Sequence, residues 1–140
     1  MNKKTLIAAL AGGITGFILG FLIFGLLLSN YYTTHCTTYP GLIKDSPVIW
    51  CYAVGNLLWA WMFAYVFSNW ANVTTFVRGA TAAIIIAAPV VIAYEFFFYA
   101  GMNLMGARVL AVDAIANIAM NAIVGGVVGT VLGMGEKKAG

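Results

Sequence analysis

The chain has 140 residues, of which 63% are hydrophobic and 8% charged, with a net charge of +3. A water-facing surface needs roughly a quarter of residues charged, so these proportions exclude an ordinary soluble domain and indicate an integral membrane protein. The seven basic residues sit at chain ends and connections, with no basic run interleaved with aromatics, so nucleic acid is not an expected partner.

A membrane-crossing helix needs about 20 apolar residues, and the chain holds four such segments with short connections and no space for a separate soluble domain. We expect one all-α transmembrane domain over residues 1–140, a four-helix bundle of two hairpins with helices near 5–28, 48–67, 79–102 and 109–134. The first segment follows Lys3 and Lys4. It exceeds a secretory signal's apolar region and lacks a small-residue cleavage site after it, so it reads as a retained anchor. Its Gly12, Gly16 and Gly20 form two overlapping GxxxG patterns, a spacing that lets a second backbone approach closely.

The first connection, residues 29–47, is the longest and reads as a loop. Its Tyr31, Tyr32 and Tyr39 suit the headgroup level. Cys36 lies there and Cys51 lies in the first turn of the second helix, so a disulfide between them and two free thiols are both open. His35 beside Cys36 supplies too few ligands for structural zinc, which takes four. Adjacent loop residues point apart, which counts against a Cys–His nucleophile, and Ser29, His35 and Asp45 lack a strand–turn–helix setting. No catalytic residue, metal site or cofactor is expected.

The second segment carries Trp59 and Trp61 mid-span, where interfacial anchoring does not explain them. Bulk packing against glycine-rich helices accounts for both, a cofactor contact being the alternative. Asn56 is the segment's single amide and wants an interhelical partner. The second connection, residues 68–77, leads to a third segment rich in small residues, with Pro89 mid-helix. Pro89 should free the carbonyl of Ile85 and kink the helix. Glu95 follows among aromatics.

The fourth segment reads, every fourth residue, Asp113, Asn117, Asn121, Gly125, Gly129, Gly133. Residues four apart share a helix face. One face is therefore a polar ladder that runs into a glycine groove, and neither belongs against acyl chains. The repeated glycine device suggests that the first and fourth helices pack together, within a protomer or across a dimer.

Orientation follows from basic residues in short connections. Lys3, Lys4, Arg78, Lys137 and Lys138 fall on one side and Lys44 and Arg108 on the other, so both termini are expected in the cytoplasm. At a rise of about 1.5 Å per residue, Glu95 then lies about 24 Å above the cytoplasmic end and Asp113 about 6 Å below the outer one. In a core of about 30 Å the two carboxyls share a depth. Ionisable groups within a membrane are functional candidates by default. One reading is an outward-facing pocket of Glu95, Asp113, Asn117, Asn56 and Arg108 that binds a cation, a proton or an amine. The other is a structural knot in which Arg108 pairs with a carboxyl and the amides bond across helices.

Several short stretches carry a resemblance: the glycine-rich first helix ending in Phe24-Gly25, then Gly55-Asn56, Phe67-Ser68-Asn69-Trp70-Ala71, Arg78-Gly79-Ala80, and Val112-Asp113 leading to Gly125-Gly126. In these the chain resembles small four-helix membrane proteins of Bacteroidetes-type bacteria, a family of unassigned function. The resemblance implies four helices and an inner-membrane location, and it implies no activity. The expected role is a non-catalytic assembly or accessory unit, a homo-oligomer or the companion of a membrane partner. A small homo-oligomeric transporter or channel is the alternative.

Overall fold

The structure, a computed structural model, describes residues 2–134. Among these it is all-α. Helix α1 spans Lys3–Gly20 and widens into π-helical turns over Phe21–Leu27. A short α2, Ser29–His35, follows after a break at Leu28. Then come α3, Ile49–Val66, with π-helical turns over Phe67–Ala71, α4, Phe76–Gly101, and α5, Ala107–Gly133. Four continuous apolar segments of 25, 23, 26 and 27 residues are each long enough to cross a membrane. The chain is a multi-pass membrane protein built as a four-helix bundle.

Three boundaries differ from the sequence expectation. Residues 29–35 are helical rather than loop, because the backbone resumes helical bonding with Tyr32 N–H donating to the Leu28 carbonyl at 3.0 Å. The second connection shrinks to four residues. The π turns carry α3 on to Ala71, where Asn72 takes a left-handed conformation (φ 47°, ψ 47°) that asparagine tolerates better than most residues. Thr75 then caps α4, its side-chain oxygen accepting from the Arg78 N–H at 3.4 Å. Helix α4 runs unbroken through Pro89. Lys137 and Lys138, used for orientation, lie outside the described residues.

Helix α5 is the centre of the bundle. Helices α1 and α3 pair as one hairpin and α4 and α5 as the other, and α5 also lies on α1 and α3. The glycines decide these contacts. A Cβ added at Gly12 would sit 2.5 Å from Val128 and 3.0 Å from Ala60, and one at Gly13 would sit 2.6 Å from Leu57. The α1 groove thus receives side chains from α3 and α5. The α5 groove receives α4: Gly125 lies against Ala83 and the Gly79 carbonyl, and a Cβ added at Gly129 would sit 3.1 Å from the Gly79 Cα. The first and fourth membrane helices do touch, as the paired glycine patterns suggested. Their two glycine faces do not meet each other, because α5 turns its glycines to α4 and offers valines to α1.

Packing is concentrated in the half of the bundle that carries Lys3 and Arg78. Ala8 and Ala9 of α1, Phe63 and Phe67 of α3, Ala83 and Ala87 of α4, and Val124, Val128 and Leu132 of α5 form a single buried cluster there. Toward the other end, Val109 and Leu110 are the buried apolar residues of α5, and most residues of the other helices there are half-buried or exposed. That far end is tied by its loops: Cys36 bridges Met105, with Thr37 N–H donating to the Leu104 carbonyl at 2.8 Å.

Candidate functional site

The α5 face that begins with Asp113 looks into the far, looser half. Asn117 donates to an Asp113 carboxylate oxygen at 2.7 Å and to the Asp113 carbonyl at 3.1 Å. One turn on, Asn121 donates to the Asn117 carbonyl at 2.9 Å. Each amide thereby holds the turn before it, and their remaining groups are free to reach other helices. Asn121, which is buried, accepts a bond from the indole N–H of Trp59 on α3. Asp113 accepts a bond from the hydroxyl of Tyr32 on α2. The ladder therefore ties three elements together through α5.

Glu95 of α4 completes the group, lining the same cleft as Asp113. The shared depth read from the sequence thus places both acids on one cleft. Helices α3 and α4 do not pack against each other along this stretch, and between them lies a cleft of about 500 Å³. Asn56 and Trp59 line one wall, Tyr94 and Glu95 the other, and Asp113, Asn117 and Asn121 the floor.

The predicted site residues sort clearly against this geometry. Glu95, Asp113, Asn117 and Asn56 share the cleft. Asn56 bonds within its own helix, donating to the Tyr52 carbonyl at 2.8 Å, and its side-chain oxygen leans on Gly16. It finds no interhelical amide partner among the described residues. Arg108 is exposed at the start of α5 and is not among the cleft's lining residues. An Arg108 pairing with Asp113 or Glu95 is absent from the described residues, and the Tyr32 hydroxyl fills the corresponding place on Asp113. His35 is turned away, stacked on Tyr31 at 4.4 Å between ring centres. Cys36 and Cys51 are free thiols.

Two residues that matter here read otherwise from sequence. Tyr32 suits a headgroup belt and Trp59 bulk packing, yet each brings a donor to the α5 ladder. The available signal was chemical: a Tyr or Trp placed inside apolar protein needs a partner for its O–H or N–H.

Electrostatics outside the spans follow from the same acids. Burial, then the hydrogen bond to Asp113 and its nearby charge, hold the Tyr32 phenol well above its ordinary range, so it remains a donor. Burial, then Asp113, push the Cys36 thiol up as well. Among the described residues no three metal-ligating side chains come together.

The polar row does not continue through the bundle. Past Asn121 the same face is Gly125 and Gly129, closed by direct contact with Ala83 and Gly79 of α4. The cleft is a pocket with a floor, stoppered by the Trp59–Asn121 bond. The chain matches no family model, no curated protein and no solved structure.

Proposed function

We propose that this chain is a non-catalytic assembly or accessory unit of the bacterial inner membrane, with both termini cytoplasmic, and that it joins copies of itself or a membrane partner through the cleft between α3 and α4. One observation carries the reading: a ladder of two carboxyls and three amides lies in a gap between two long helices that do not pack together. Such groups are costly to leave against acyl chains, so a further transmembrane segment over the cleft relieves that cost. The tight packing of Gly125 on α4 beyond Asn121 favours a docking site over a conduit through one protomer.

Cys51 is exposed and lines this cleft. In native membranes, with Cys36→Ser as background, Cys51 is expected to form a cross-linked species under mild oxidation or with a short bis-maleimide. The chain extracted in polymer nanodiscs is expected to exceed one copy in mass or to carry a second protein. A single uncross-linked chain in both measurements refutes the reading.

The placement of Glu95 and Asp113 on one cleft favours a second reading, a small homo-oligomeric transporter of a proton, cation or amine. It predicts flux in proteoliposomes that Glu95→Gln abolishes in a folded protein, and absence of wild-type flux refutes it.

A further inference from the structure

A second cavity lies at the opposite end, where the helices are tightly packed. It has a volume of about 500 Å³ and is built from the ends of three spans and the short connection between α3 and α4. Lys4 enters from the first turn of α1 and Ser68 and Asn69 from the last turns of α3. Asn72 and Thr74 come from the connection. Beneath them Phe67 and Leu132, both buried, make an apolar floor.

We infer that this cavity is a binding site for a phosphate group, either on a lipid headgroup or free. Three features carry the inference. The first is depth: the cavity sits where the spans end, with Trp70 exposed beside it at the level of interfacial aromatics. The second is charge. Lys4 lines the cavity and Lys3 and Arg78 flank the same end. The chain's four acids leave this end without a described carboxylate, since Asp45, Glu95 and Asp113 lie toward the other and Glu136 is outside the described residues. The third is donor supply. Thr5 is buried and already spends its hydroxyl on Ser68, and Asn69 spends its amide on the Tyr65 carbonyl at 2.9 Å and on Ser68. The Lys4 ammonium, the Asn72 amide and the Thr74 hydroxyl belong to residues that line the cavity and have no such internal bond among the described residues. An ammonium with several neutral donors is the set that holds phosphate oxygens, and an anionic leaflet brings such groups to this depth.

The test is native mass spectrometry of the full chain, released from detergent with one probe at a time: phosphatidylglycerol, diacylglycerol or inorganic phosphate. Phosphatidylglycerol is expected to be retained at least fivefold over diacylglycerol. Lys4→Gln should lose that preference, Lys4→Arg should keep it, and Lys3→Gln, whose side chain is outside the cavity, should change it less than twofold. Inorganic phosphate bound in a Lys4-dependent way assigns the site to a soluble phosphate, and retention of the lipid alone assigns it to a headgroup. Equal retention of diacylglycerol, or equal losses in the Lys3 and Lys4 variants, overturns the inference. Circular dichroism of each variant confirms folding, which substitution of an exposed first-turn lysine leaves intact.

Discussion

Gly125 and Gly20 belong to matching every-fourth-residue glycine rows, yet the structure assigns them opposite fates. A Cβ added at Gly125 falls on the Ala83 methyl and lies 2.6 Å from the Gly79 carbonyl oxygen. One of those atoms is backbone, so neither a rotamer change nor a flexible tip can relieve the clash. At Gly20 the nearest atom is the Met120 sulfur at 4.0 Å, an ordinary contact. Overpacking costs up to about 3 kcal/mol, and replacing a mid-helix glycine returns about 1 kcal/mol of helix propensity. Gly125→Ala should therefore lose about 2 kcal/mol, roughly a thirtyfold shift in the unfolding equilibrium at ~1.4 kcal/mol per decade. Gly20→Ala should be neutral or gain up to about 1 kcal/mol. Reversible unfolding by sodium dodecyl sulfate in mixed micelles, followed by circular dichroism, measures both. Adding Ala83→Gly to Gly125→Ala should recover part of the loss, since it removes one of the two colliding atoms. Equal stabilities for Gly125→Ala and Gly20→Ala would refute the assignment of the α5 groove to α4.

Trp59→Phe leaves the buried Asn121 oxygen without its donor and should cost about 1 kcal/mol in the same titration; the cost should shrink when Asn121 is already Leu. Tyr32→Phe removes the donor that α2 presents to Asp113, so the adjoining strap should loosen. About 1 kcal/mol corresponds to roughly fivefold faster amide hydrogen exchange at Thr37. Cys36 should alkylate slowly, because a raised thiol pKa means less thiolate at a given pH. In Cys51→Ser, the rate with N-ethylmaleimide at pH 8 should fall below that of free cysteine and climb as pH rises. Asp113→Asn should speed it, since Asp113 is one cause of the shift. A rate matching free cysteine contradicts that placement.

Much of this arrangement is legible in the sequence because a bilayer leaves few options. Long apolar runs with almost no charge must be helices, and their number and approximate ends follow from length alone. That Glu95 and Asp113 line one cleft follows from counting residues along two antiparallel helices. What the count misses is azimuth. Depth places Arg108 above the acids but does not say which side of α5 it takes, and it faces away. The glycine rows announce close approach without naming the partner: α5 shows glycines to α4 and valines to α1, a choice set by the whole bundle. Residues 29–35 were read as loop because polar and aromatic residues dominate them. The helix forms there with its Tyr32 hydroxyl bonded to Asp113, a contact distant in sequence.

Helix α5 turns its Asp113–Asn117–Asn121 row into the cleft. Within residues 111–125 its exposed positions, Ala111, Ile115, Ala119 and Ile123, fall on another stripe of the helix. Nitroxide labels attached one at a time along residues 111–125 of a cysteine-free variant, with oxygen collision rates measured in liposomes, report that direction. Oxygen, concentrated in the acyl region, should collide most at 111, 115, 119 and 123 and least at 121 and 125. Collision maxima at 113, 117 and 121 would contradict the account.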